Sequence, residues 1–190
     1  MYYHASQTAG ISQLEPRISN HNIPLIYFSG KRENVLVYLS NAVEKYCKEH
    51  DFVYDGNWSK WGPYGFEKDG RLRIEEYYPN ALESTYKGVS GYIYSVSDVE
   101  DSGFALRIPD AVTSEVPVKV SGVEFVSDAY EEILKAERDG LIVITRYGEL
   151  TAQKREWIIK TIRQEYEDAK EHPEYGFFLR ENFPWVVEEN

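Results

Sequence analysis

Cysteine is nearly missing from this chain: Cys47 is the only one in 190 residues. An intrachain disulfide and a Cys-rich metal site are thereby excluded. Set beside Tyr46 in a helical pattern, Cys47 reads as a small core hydrophobe. A cation excess is missing too, with 21 Lys and Arg against 32 Asp and Glu and a formal net charge of −11. Proteins that bind nucleic acid draw most of their affinity from neutralising phosphates. The basic pairs here, Lys31-Arg32 and Lys154-Arg155, are offset by neighbouring glutamates, so nucleic acid is not expected as a main partner. No apolar run approaches the ~20 residues that cross a bilayer, and no membrane partner is expected. The opening Met-Tyr-Tyr-His has no basic stretch ahead of an apolar core, so the sequence reads as cytoplasmic without a signal peptide. His21, His50 and His172 stand far apart in loop or helix-end contexts, which gives no metal-ligand spacing. Internal repeats and low-complexity stretches are lacking as well.

What the chain has in quantity is tyrosine, 16 residues. A side chain with an apolar body and a polar tip suits half-wet surfaces such as ligand clefts. Tyr also substitutes for Phe and Leu in strands, and both readings stay open. The length fits one domain, residues 1–190, with a core of its own.

Hydrophobic periodicity lays out the first half. A short strand lies around Tyr2-Tyr3-His4, and Leu14-Glu15-Pro16-Arg17 is a second extended piece because Pro16 holds Glu15 out of helical geometry. Ile23 to Phe28 is nearly all apolar and reads as a strand buried on both faces, broken at Ser29-Gly30. From Arg32 to Lys48, Val35, Leu36, Leu39, Val43 and Tyr46 recur with the period of a single helix. Residues of about 51–87 change character. Phe52, Tyr54, Trp58, Trp61, Tyr64 and Phe66 alternate with Gly56, Gly62-Pro63 and Gly65, and Asp69-Gly70 marks a hairpin leading into Arg71 to Tyr77. This reads as a strand-rich aromatic insertion. Glu75 and Glu76 point to opposite faces of its strand and read as a solvated hairpin edge. Trp58 and Trp61 form a lid or seal the sheet edge.

Gly91 to Val96 is a clear strand, and Glu115 to Val120 and Val123 to Val126 read as two more joined at Ser121-Gly122, with Pro117 at an edge or bulge. Ser127 or Asp128 caps a helix to Arg138 that Gly140 ends, and Leu141 to Ile144 is a strand or an apolar connector. Thr151 opens a long helix carrying Trp157, Ile158, Ile162, Tyr166 and Ala169 on one stripe, stopped by His172-Pro173. The tail with Phe177-Phe178, Phe183 and Trp185 is too aromatic to lie free and docks back. The pattern is α+β, with a helical C-terminal extension at about 151–190.

The chemistry-bearing residues sit at the start. Tyr3-His4-Ala5-Ser6 offers imidazole nitrogens and a hydroxyl from one strand, and Ile26-Tyr27-Phe28-Ser29 closes another strand with a flat ring just ahead of a helix. These residues can grip a dinucleotide. The first segment resembles the Tyr-His-Gly-Ser/Thr opening of the diphtheria-toxin-like ADP-ribosyltransferases, which include the poly(ADP-ribose) polymerases and the rifamycin-modifying transferases. The second resembles their Ile-Tyr-Phe/Leu-Ala/Ser/Thr strand and its helix. Thr113-Ser114-Glu115-Val116-Pro117-Val118 looks like their third motif, a late strand with an acid at its start; Asp110, Asp101 and Glu124 are alternatives for that acid. The usual glycine after the histidine is Ala5 here.

The resemblance implies an ADP-ribosyltransferase-like split β-sheet core with flanking helices and a C-terminal helical segment. It implies NAD⁺ as substrate and a small-molecule or protein as acceptor. His4 would hydrogen-bond the adenosine-ribose side and help place the nicotinamide, Tyr27 would stack on the nicotinamide, and Glu115 would act catalytically, binding the nicotinamide-ribose hydroxyl and stabilising positive charge as the glycosidic bond breaks; Ser6, by its own chemistry, is a further cofactor-binding donor and acceptor. A fixed carboxylate helps there because the charge is larger in the transition state than in the ground state. Two other classes compete: a catalytically silent nucleotide-binding module on the same fold, and a protein-interaction domain in which His4 and Tyr27 are structural and the tyrosine-rich insertion is the partner surface.

Overall fold

The computed structural model describes residues 1–18, 22–54, 61, 64–106 and 108–187; Trp58, His21, Gly56 and Gly62-Pro63 lie outside them. The chain is α+β, built from antiparallel sheets and helices. In chain order come β1 (Tyr2–Ser6), β2 (Gln13–Leu14), β3 (Arg17–Ile18), β4 (Pro24–Ser29), a 3₁₀ helix (Glu33–Leu39) and α1 (Ala42–Glu49). Next are β5 (Tyr64–Phe66), β6 (Leu72–Glu75), α2 (Ala81–Tyr86), β7 (Gly91–Val96), β8 (Ala111–Ser114), β9 (Val118–Lys119) and β10 (Gly122–Val126). The chain continues through α3 (Ala129–Arg138), β11 (Ile142–Thr145), α4 (Ala152–Asp168), α5 (Pro173–Asn182) and α6 (Pro184–Val187). Among the described residues no helix is long and apolar enough to cross a membrane.

The chain divides into two compact units: Met1–Leu39, Phe66–Leu72 and Tyr86–Ile142 form one, and Ser40–Gly65, Arg73–Thr85 and Val143–Asn190 the other. The physical reason is that each segregates its own apolar cluster. The aromatic insertion at 51–87 is thus no body of its own, because its segments are shared out between the two.

The first unit is a sheet in the order β10-β7-β1-β4-β3, with β8 also pairing β4. β1 pairs β7 along its whole length, Tyr2↔Val96 to Ser6↔Tyr92, and β4 pairs β8 from Ile26↔Ser114 to Ser29↔Ala111. Cross-strand partners share a face. One face therefore carries Ile26, Phe28, Tyr94 and Val96, which cluster with Leu14 and Val118. The other face carries Ala5, Ile93 and Tyr27 and is met by the 3₁₀ helix: a Cβ on Gly91 would lie 2.6 Å from Leu39 Cδ2 and 3.1 Å from Ser6 O. Only glycine lets helix and strand approach this closely. Asp128 caps α3 by accepting the Tyr130 and Glu131 amides, and Gly140 follows its end at φ +72°. The Asp69-Gly70 turn forms as expected, with Gly70 at φ +81°.

The helix expected over Arg32–Lys48 is interrupted. Its first part winds as the 3₁₀ helix, and α1 starts afresh at Ala42 because the Asn41 side chain accepts the Val43 and Glu44 amides at 3.0 and 3.2 Å. A side-chain cap of this kind begins a helix rather than continuing one.

The second unit buries Val43, Cys47, Trp61, Tyr77, Tyr78, Ile158, Ile162, Tyr175, Phe178 and Phe183 in one cluster. Trp61 is 2% exposed, and its Nε1 donates to the Tyr175 hydroxyl at 2.9 Å, which donates to Glu165 Oε2 at 2.8 Å. Trp61 is neither lid nor sheet-edge seal but a member of this core. α5 and α6 carry the aromatic tail back into that core, with Pro173 opening α5. Trp157 departs from the expected stripe, standing 48% exposed beside the Lys154 ammonium, which lies 4.9 Å from its ring centroid. Glu76 also departs from expectation. It is buried, with Oε1 accepting the Leu82 amide at 3.0 Å and Oε2 the Tyr147 amide at 3.2 Å. The carboxylate is recruited to backbone donors at the starts of α2 and of a short 3₁₀ helix, Tyr147–Glu149, which no alternation rule reveals.

Candidate functional site

His4 and Tyr27 come together in the first unit, though through the Tyr27 backbone. β1 and β4 share one registered pair, Tyr3↔Ser29. Beyond it the His4 side chain makes the link, with Nδ1 at 2.9 Å from the Tyr27 carbonyl. A carbonyl only accepts, so Nδ1 carries the proton and Nε2 presents a lone pair. Burial pushes the His4 imidazole below its ordinary pKa, the Tyr27 carbonyl pulls it up, and the nearby Arg17 charge adds a smaller downward push. The ring is therefore a neutral acceptor at pH 7, suited to a hydroxyl donor. It packs edge-on to Phe28, with centroids 6.0 Å apart.

Ser6 follows His4 by two residues and shares its face of β1. It is half-buried, and its Oγ accepts the Thr8 amide at 3.1 Å. Tyr27 is half-buried and alternates with Phe28, so its ring leaves β4 on the other face. The register thus does not set the His4 and Tyr27 rings side by side on one wall, as the two motifs suggest. Strand alternation is the reason: Tyr3↔Ser29 fixes His4 with Phe28 and Tyr27 with Ala5.

Glu115 is exposed in a bend past the end of β8, where Ser114 Oγ donates to the Val116 carbonyl and accepts its amide. It does not begin a strand; the Ser114 bonds turn the chain, and of the strand expected from Glu115 to Val120 only β9, Val118–Lys119, forms. The residue ahead of β8 is Asp110, whose backbone carbonyl accepts the Gly30 amide at 2.7 Å and whose carboxylate meets Lys31 Nζ at 3.0 Å. Of the other acids, Glu124 is held by Arg32, which also reaches Glu132 at 2.9 Å, and Asp101 Oδ1 accepts the Gly103 amide. Arg32 keeps the Glu124 carboxyl below its usual range, chiefly by hydrogen bonding.

Sequence reasoning passed over Asn34. It is buried in the 3₁₀ helix, and its Nδ2 donates to Ser29 Oγ at 3.2 Å. The available signal was a lone amide at the head of the apolar run Val35 to Leu39. Comparison with protein-family models, curated proteins and solved structures gives no match.

Proposed function

We propose that this protein is an ADP-ribosyltransferase-like protein that binds NAD⁺ in its first unit and transfers ADP-ribose to a small-molecule or protein acceptor. The observation that carries the reading is His4, a neutral imidazole with a fixed tautomer, set where β1 and β4 cease to pair. There Nε2 accepts a ribose hydroxyl and Ser6 adds a second polar contact, while the Tyr27 ring, on the opposite face of β4, takes no part. Cleavage leaves the glycosidic electron pair on nicotinamide and positive charge on the ribose, which a carboxylate stabilises. Asp110, ahead of β8, suits that role better than Glu115, which follows its far end. A net charge of −11 favours acceptors other than nucleic acid.

A second reading, a catalytically silent nucleotide-binding module, is favoured by the exposure of Glu115. Thermal melting with NAD⁺ tests the binding common to both, since ligand at a hundredfold its Kd stabilises by about 2.7 kcal/mol. Nicotinamide release then separates them. The transferase reading expects release by the wild type and at least a tenfold loss in Asp110→Asn. Binding without release leaves the silent module, and no melting shift at millimolar NAD⁺ removes both.

A further inference from the structure

We propose that β10, the edge strand of the first unit's sheet, is an interface at which two copies of this chain pair as a two-fold dimer. In the order β10-β7-β1-β4-β3, no strand among the described residues pairs with the outer side of β10. Such an edge offers a row of backbone donors and acceptors, which soluble proteins ordinarily blunt with charge, Pro or a very short strand. β3, at the far end of the order, is blunted in that way: it has two residues, one of them Arg17. β10 has five, Gly-Val-Glu-Phe-Val, with no Pro and one charge, Glu124.

The side chains of β10 divide by face. Val123 and Phe125 lie opposite Tyr94 and Tyr92 of β7, so all four share a face. Tyr94 is buried there, yet Val123 is 61% and Phe125 58% exposed. The Phe125 ring leans inward on Tyr92, with centroids 5.3 Å apart, and leaves its other side at the edge. Glu124 alternates to the opposite face. Arg32 Nε donates to it at 2.9 Å, and the same guanidinium reaches Glu132 of α3 at 2.9 Å. The charge that would repel an incoming strand is thus neutralised from within the chain.

A second copy fits this pattern. With a two-fold axis through the Glu124 backbone, perpendicular to the sheet, the strands run antiparallel and Val123 of each copy faces Phe125 of the other. An aromatic and a β-branched residue directly opposite one another form a favourable cross-strand pair. The charges on the other face agree. Arg32 chiefly, and Lys135 of α3 in smaller part, keep the Glu124 carboxyl below its usual range, which sets Lys135 close to the axis. The axis reverses α3, so Lys135 of one copy is brought toward Glu131 and Glu132 of the other. Each copy has one such edge, and pairing closes the assembly at two rather than growing a filament. Two strands of this length bury less than the standard interface of about 1,600 Å², which places the dimer in the weak, micromolar class.

The test is sedimentation velocity on the full chain between about 1 µM and 1 mM, at a salt concentration of about 0.15 M that screens the net charge of −11. The wild type passes from monomer to dimer in that range. Val123→Lys, a change at an exposed position that leaves the melting temperature unaltered, weakens the dimer at least tenfold. Ile18→Lys, which charges the equally exposed apolar residue of β3, changes it less than twofold. Cysteine cross-linking checks the register, because the native Cys47 is buried and stays silent. Val123→Cys mixed with Phe125→Cys forms a disulfide dimer, since the register sets their Cα atoms about 4.5–5.5 Å apart. Either variant alone is offset by two residues and cross-links at least tenfold more slowly. A wild type that stays monomeric at the highest concentration overturns the proposal and leaves the edge to a partner of another kind. Equal weakening by the two lysine variants also overturns it, as does cross-linking that does not favour the mixed pair.

Discussion

Removing the Glu76 carboxylate is expected to destabilise the second unit more than any surface charge change. The side chain is 7% exposed and accepts two backbone amides, Leu82 and Tyr147. Hydrogen bonds to a charged group contribute roughly 1.5–3 kcal/mol each, and a buried donor left bare costs a further penalty that water entry only partly relieves. Glu76→Ala is therefore expected to cost about 3–5 kcal/mol. Glu76→Gln keeps one carbonyl acceptor and turns an NH₂ toward the second amide, so about 1.5–3 kcal/mol is lost. Urea unfolding followed by tryptophan fluorescence reads this directly, because Trp61 lies in the same cluster as Tyr77, 6.0 Å from its ring. With slopes of about 1–3 kcal/mol per molar, a loss of 3 kcal/mol lowers the midpoint by about 1–3 M. A Glu76→Ala midpoint within error of wild type would refute the reasoning and return Glu76 to solvent.

Three further outcomes follow from local geometry. The His4 pKa is depressed by burial, so the folded state holds fewer protons than the unfolded chain below the ordinary value of 6.5. The stability this gives is full above pH 6.5 and falls as pH drops toward the lowered value, by at most about 1.4 kcal/mol per pH unit; unfolding midpoints between pH 7.5 and 5 show less acid loss in His4→Gln. Asn41→Ala removes the cap of α1 and lowers stability by about 1 kcal/mol, whereas Asn41→Asp leaves the melting curve close to wild type. Gly91→Ala drives a methyl against Leu39 and the Ser6 carbonyl and costs about 1–3 kcal/mol, read by thermal melting.

The elements legible in the sequence are those whose signals are local. The strand at Gly91 to Val96, the Asp128 cap and Gly140 stop of α3, the Asp69-Gly70 turn and the Thr151 start of α4 all follow from adjacent residues. Long-range recruitment was not legible. β8 exists because Ile26 to Ser29 offers it a ladder, and nothing in Ala111 to Ser114 alone marks a strand. The break at Ser40-Asn41 hid inside an apolar period that runs through both helices, since Val35 to Tyr46 keeps its stripe across the cap. At the candidate site the two motifs lie on strands that share a registered pair, as their order suggested, but residue types do not encode pairing phase. That phase put His4 on the Tyr27 carbonyl and sent the phenol to the opposite face. The burial of Glu76 likewise depends on Tyr147, 71 residues away.

Titrating NAD⁺ into the wild-type chain and into His4→Leu at pH 7.5, by calorimetry, probes the imidazole and its ligand together. The account predicts saturable heat for the wild type and at least tenfold weaker binding once the Nε2 acceptor is gone. Equal affinity in the two proteins, or no saturable heat at millimolar NAD⁺, contradicts it.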